Sequence, residues 1–186
     1  MSFMDQFLPD ERSLLVSLPY RVGLYVSESD RSGGDESEEA EMQALSNIII
    51  AYSQEVFGAE TAQYIISETV SRKREWFEWS NDLDMVEVEC HRAVDVLSNA
   101  VDVKEVNGVK RCLMEIGEAV ALAFREYDET VSIVEKIKIY ISYMQSRTQA
   151  AKLGIIAKEW DQFINISMEE RDALQKVAQA LDTRYI

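Results

Sequence analysis

Apolar residues recur three and four positions apart along almost the whole chain, which is the spacing of one buried face of an α-helix. The clearest stripe consists of Met42, Leu45, Ile48, Ile49 and Tyr52. Sustained alternation of apolar and polar residues between turns, which is typical of half-buried strands, does not occur in the sequence. We therefore predict an all-α protein in which residues 1–186 form a single compact bundle of seven or eight helices.

The first predicted helix begins with Asp10 as its N-cap and runs towards Glu28. Pro19 lies inside this helix and lacks a backbone N–H, so it cannot donate the hydrogen bond that an interior position requires. We expect a kink or a break near Ser17, whose hydroxyl would then cap a second helical piece.

Turn-forming residues set the remaining boundaries. A second helix, capped by Asp35 or Ser37, is closed by Gly58. Further helices are predicted at about 59–79, 82–103, 109–127, 130–150 and 155–164. The pair Asn107-Gly108 predicts the break between the helices at 82–103 and 109–127. Ser167-Met-Glu-Glu170 has the form of a capping box, which opens the last helix.

Two apolar groups near the ends of helices each allow two interpretations. Trp76, Phe77 and Trp79 either pack beneath the bundle or form a patch that binds a partner. The last helix carries an apolar stripe that either covers the bundle or pairs with another subunit in a homo-oligomer. This stripe consists of Leu174, Val177, Ala178 and Leu181.

One pattern occurs twice in the chain, at residues 22–30 and 120–128. The matching positions are Val22 with Val120, Leu24 with Leu122, Glu28 with Glu126 and Asp30 with Asp128. The same offset continues upstream in Leu15 with Leu113, Val16 with Met114 and Leu18 with Ile116. Each copy is an apolar helix that ends in acids and precedes a helix carrying Glu41 or Glu135. The repeat predicts a duplicated helical hairpin, at about 10–57 and 109–150.

The charge of the chain is strongly negative, since 34 Asp and Glu against 19 Lys and Arg give a formal net charge of −15. Such a surface repels phosphate backbones and anionic lipids, so nucleic acid is not an expected partner. Cations, or basic patches on another protein, are its natural counterparts. The most apolar short run, Ile48–Ala51, is far too short to span a bilayer, and the N-terminus does not have the pattern of a signal peptide. We expect a cytoplasmic protein without membrane insertion.

Signatures of catalysis are missing from the sequence. His91 is the only histidine, which excludes a His-rich zinc site and a histidine-dependent catalytic triad within one chain. Gly33-Gly34 lacks the lysine of a phosphate-binding loop. Cys90 and Cys112 are expected to be reduced core residues, although a single bridge between them stays open. An enzyme is therefore the least favoured class.

The loop after the first helix is rich in oxygen donors. Asp30 and Glu41 have the spacing of the first and last ligands of an EF-hand loop, but Gly34 and Asp35 occupy positions that this motif assigns to other residue types. The carboxylates of Asp30, Asp35, Glu38 and Glu41 nevertheless suit calcium, magnesium or manganese.

Both copies of the repeat place acids where a helix ends. Glu28 with Asp30, and Glu126 with Asp128, lie at predicted helix C-termini, where the helix dipole disfavours a negative charge by about 0.3–1 kcal/mol each. A nearby cation, either a metal ion or a basic side chain such as Arg31 or Arg125, would offset this cost. The alternative is that these acids are simply hydrated.

The combination of an apolar helix, an acidic turn and a glutamate on the next helix, present twice, resembles the tellurite-resistance protein TerB and its TerB-like relatives. Val22–Asp30 with Glu41 corresponds to the first unit, and Ala121–Asp128 with Glu135 to the second. Arg31 and Glu129 stand where that family has glycine.

The resemblance implies an α-helical bundle that binds a divalent cation without catalysis, in a stress or metal-resistance role. The predicted metal ligands are Asp30 and Glu41 in one half and Glu126, Asp128 and Glu135 in the other, with the loop acids Asp35 and Glu38 as auxiliaries. The alternative function is an acidic scaffold that binds a basic partner protein without a metal.

Overall fold

A computed structural model describes residues 3–29, 35–54, 58–123, 147 and 168–185. Seven α-helices lie in these ranges: α1 Pro9–Ser27, α2 Asp35–Ser53, α3 Glu60–Ser71, α4 Trp76–Trp79, α5 Val86–Ala100, α6 Val103–Ala123 and α7 Met168–Ala180. Short 3₁₀ turns lie at Phe3–Gln6, Lys73–Glu75 and Leu83–Met85. The described part of the chain contains no strand, and its helices pack on one another, which confirms the predicted all-α bundle.

α1 lies at the centre of the described helices and contacts all six of the others, α2 to α7. Every residue from Leu14 to Leu24 is buried, as expected for a helix that is surrounded on all sides. α6 is buried in the same way from Cys112 to Gly117, and α1 packs more extensively against α6 than against any other described helix.

The sequence repeat corresponds to matched burial in these two central helices. Leu15 and Leu113, Leu18 and Ile116, and Val22 and Val120 are all buried core positions. The apolar half of each repeat therefore belongs to a helix of the core. The predicted helices at 130–150 and 155–164 and Ser167 lie outside the described residues, so the second hairpin stays a prediction.

The start of α1 differs from the prediction by two residues. Leu8, and not Asp10, occupies the N-cap position, and Pro9 is the first helical residue. The carboxylate of Glu11 accepts a hydrogen bond of 2.9 Å from the Leu8 N–H, which satisfies a donor that the helix leaves unpaired. Proline at the first position loses no helical bond.

The predicted break near Ser17 is wrong, because α1 continues through Pro19. Ser17 caps no second piece; its hydroxyl donates to the carbonyl of Leu14 at 3.0 Å, inside the same helix. Burial of α1 against the six other described helices outweighs the one backbone hydrogen bond that proline cannot make.

The segment that the sequence predicts as one helix, at 59–79, is divided into α3 and α4. α3 ends at Ser71, and a 3₁₀ turn leads into the single turn α4. The indole N–H of Trp76 donates to the carbonyl of Thr69 at 2.9 Å, so a side chain occupies the acceptor that a longer helix would use. This hydrogen bond folds the end of the segment back onto the bundle.

The aromatic residues of this segment divide between core and surface. Trp76 is buried and stacks on Tyr20 with ring centroids 4.7 Å apart, whereas Phe77 is 83% exposed. Packing beneath the bundle is therefore confirmed for Trp76. Met42, predicted as part of the α2 stripe, is 44% exposed, while the other four residues of that stripe are buried.

α3 receives its N-terminal cap from a distant helix. Gly58 has a φ of 66°, in the left-handed region that favours glycine, and turns the chain into α3. Ala59 is the N-cap residue and has no side-chain acceptor to offer. The carboxylate of Glu105, on α6, accepts the N–H of Thr61 at 2.7 Å instead.

The predicted break at Asn107-Gly108 is wrong, since α6 continues across both residues. Gly108 is buried and faces Ala59, and a Cβ atom added to it would collide with the Ala59 Cβ. Here glycine serves close approach of two backbones and not a turn.

α7 covers the bundle by packing on α1, α5 and α6. All four residues of its predicted apolar stripe are buried, which decides between the two interpretations of that stripe. None of the helices in the described ranges combines the length and the apolar character that crossing a membrane requires.

Candidate functional site

None of the predicted metal ligands has a described side chain. Asp30, Glu126, Asp128 and Glu135 lie outside the described residues. Asp35, Glu38 and Glu41 lie in the first two turns of α2, where only the helical backbone is described. Within the described ranges, no group of three or more His, Cys, Asp or Glu side chains could hold a metal ion. The metal site stays a prediction.

An acidic cleft of about 410 Å³ lies at the C-terminal end of α1. It is formed where the end of α1 meets the 3₁₀ turn before α5 and the first half of α7. Its lining residues are Tyr25, Glu28, Ser29, Leu83, Asp84, Glu169, Asp172, Ala173 and Lys176. Glu28 is the C-cap of α1, as the sequence predicts, so the negative end of the helix dipole adds to the charge here.

The charges that line the acidic cleft are unbalanced. Among the described lining residues, Glu28, Asp84, Glu169 and Asp172 give −4 and Lys176 gives +1, a formal sum of −3. The Nζ of Lys176 lies 2.8 Å from the Asp172 carboxylate, and this hydrogen bond raises the pKa of Lys176. The cleft therefore already favours an ammonium group on its wall.

Tyr25 contributes a polar and an aromatic surface to the same cleft. Its hydroxyl donates to the Glu87 carboxylate at 2.7 Å. Partial burial raises the pKa of Tyr25, and the hydrogen bond to Glu87 raises it further, so the phenol stays protonated. The aromatic ring next to carboxylates is a surface suited to a cationic side chain.

Arg21 fixes the turn that carries one wall of the cleft. Its guanidinium is buried, and it donates to the carbonyls of Trp79, Asn81 and Asp82 at 2.5, 2.7 and 2.9 Å. Its Nε donates to the Glu89 carboxylate at 2.7 Å. These bonds hold the backbone that leads directly into Leu83 and Asp84.

The helical spacing of α1 aligns the two polar contacts to α5. Arg21 and Tyr25 are one turn apart, so both face α5, where they bind Glu89 and Glu87. On α7, burial of Ala173 on the core side leaves Glu169, Asp172 and Lys176 for the cleft. Ordinary core packing thus positions every wall of the site.

A second polar pair has the composition of a nucleophile and a base. The Nζ of Lys73 donates to the Ser46 hydroxyl at 2.7 Å and lies 5.4 Å from the centroid of the Trp76 ring. The contact of Lys73 with the ring face of Trp76 is a cation–π interaction. Ser46 is also buried, so a substrate could not reach it. The pair joins α2 to the 3₁₀ turn and has a structural role.

Glu115 is a buried carboxyl in the core helix α6. Burial raises its pKa from 4.5 to about 7, although Arg111 lies 3.6 Å away and Arg147 also lowers the value. Glu118, on the same helix, raises it further. The folded protein therefore holds a proton on Glu115 at pH values where the unfolded chain has lost it.

We expect Glu115→Gln to remove a pH dependence of stability. The pKa of Glu115 is higher in the folded protein than in the unfolded chain, so deprotonation costs more free energy in the folded state. The free energy of unfolding therefore falls as pH rises from 4.5 to about 7. Between about pH 5.5 and pH 8 the free energy of unfolding of the wild type should fall by roughly 2 kcal/mol more than that of the variant. Urea denaturation at both pH values measures this difference.

The matched control is Glu78→Gln, which changes the same group at an exposed position. The free energy of unfolding of this control should change between the two pH values by the same amount as that of the wild type. Equal slopes for all three proteins would show that Glu115 titrates in the folded state as it does in the unfolded chain.

Comparison with protein-family models, curated proteins and solved structures finds no match to this chain. The resemblance to TerB-like proteins is therefore a prediction that rests on the repeated residues alone.

Sequence patterns indicate only part of the cleft. They predict Glu28 as an acid at a helix end, but no pattern assigns Tyr25, Asp84, Glu169 and Asp172 to a common site. Arg21 did leave a signal, because an arginine within an almost continuous apolar run is typical of a buried, paired charge.

Proposed function

We propose that the protein is a non-enzymatic binding module that receives a basic side chain of a partner protein in the acidic cleft. The observation that carries this proposal is the cleft itself, whose described lining residues supply four carboxylates and one phenol against one lysine ammonium. The net charge of −15 would attract a basic partner over a longer range.

The described geometry favours an organic cation over a metal ion at this position. Calcium requires six to eight oxygens at about 2.3–2.6 Å, a convergence that no group of side chains in the described ranges supplies. An ammonium or guanidinium group needs fewer and more widely spaced acceptors, each taking one charge-assisted hydrogen bond. The contact of Lys176 with Asp172 is an example of this chemistry within the chain.

The size of the cleft is also suited to a long basic side chain. A volume of about 410 Å³ falls in the range of about 300–1,000 Å³ that is typical of ligand pockets. Leu83, which is only partly buried, offers apolar surface to the methylene stem of such a side chain, while the carboxylates accept from its head group.

Titration with hexa-arginine peptide tests the proposal. Replacing two cleft carboxylates in Asp84→Asn/Glu169→Gln should weaken binding about tenfold or more, because each lost charge removes a charge-assisted acceptor. Calorimetry or fluorescence anisotropy at fixed ionic strength measures the dissociation constant. Both positions are exposed, so the double variant should keep the stability of the wild type.

The control variant Glu78→Gln/Asp95→Asn removes the same number of charges from exposed positions outside the cleft. It should weaken binding less than about twofold, since exposed charges far from the ligand are screened by salt. An equal loss in both variants would mean that the peptide binds the negative surface as a whole, and the cleft would then not be the site.

A second candidate function is the TerB-like binding of a divalent cation, in a stress or metal-resistance role. It is favoured by the position of Glu28, which is one of the acids near the end of the first repeat and also lines the acidic cleft. Asp30 and Glu41 would act in one half, and Glu126, Asp128 and Glu135 in the other, with Asp35 and Glu38 as auxiliaries.

Metal-stripped protein titrated with calcium, magnesium and manganese is expected to release saturable heat and to show a higher melting temperature. Asp30→Asn/Glu135→Gln should abolish both effects, whereas Asp84→Asn/Glu169→Gln should preserve them. Absence of heat and of a thermal shift with all three ions would contradict this function and leave the peptide-binding proposal intact.

A further inference from the structure

We draw no further inference here: the strongest candidate, the contact of Lys176 with Asp172 on the wall of the acidic cleft, belongs to the site already described and rests on a cluster of acidic side chains alone.

Discussion

Replacing Arg21 with alanine is expected to lower the free energy of unfolding by about 3–5 kcal/mol. The guanidinium is 6% exposed and pairs with the carbonyls of Trp79, Asn81 and Asp82 and with the Glu89 carboxylate. Its loss leaves a charge and three carbonyls without their donor, and each of these groups then has to be hydrated or stay unpaired. Urea denaturation followed by circular dichroism measures the change.

Arg92→Ala is the matched control, because Arg92 pairs with Asp10 on the surface, where the two side chains are 54% and 62% exposed. Its loss should cost less than about 1 kcal/mol. The loss of stability in Arg21→Lys should lie between the losses in Arg92→Ala and Arg21→Ala, since one ammonium cannot replace a planar group that donates in several directions. Similar values for Arg21→Ala and Arg92→Ala would show that the buried hydrogen bonds do not stabilise the turn.

Gly108→Ala is expected to destabilise the protein by about 2–3 kcal/mol. Alanine is the better helix former by about 1 kcal/mol, so propensity alone predicts the opposite sign. The added Cβ would meet the Cβ of Ala59, which is fixed to its backbone and cannot rotate away. The start of α3 must therefore move away from α6. Thermal and urea denaturation both report this loss.

Asn107→Ala provides the comparison at the neighbouring position of the same helix. Asn107 is exposed, so the substitution changes helix propensity without creating a contact. A gain of about 0.5 kcal/mol is expected there. A similar gain in stability from Gly108→Ala would show that Gly108 does not lie close to Ala59.

Local patterns predicted the fold well because helices are encoded by nearby residues. The stripe on α2 and the stripe on α7 both follow the 3.6-residue period, and both face the core, apart from Met42. The incorrect predictions concern residues whose effect on a helix depends on tertiary contacts. Pro19 and Gly108 disrupt an isolated helix, but Pro19 is tolerated in a buried helix and Gly108 is needed where another backbone comes close.

The acidic cleft could be predicted only in part for the same reason. Glu28 is identified from its position at a helix end, which is local information. Asp84 and Glu169 lie far apart in the chain and face one space only because α7 docks against α1 and α5. Period and spacing do not encode that docking, so a sequence contains no short signal for it.

The cap that Glu105 gives to α3 ties two helices into one cooperative unit. The carboxylate lies 44 positions after the N–H that it accepts, so the first turn of α3 is completed only when α6 has arrived. Local opening of either helix exposes the same unpaired donor, and the two helices should therefore exchange their amide hydrogens with solvent as a single foldon.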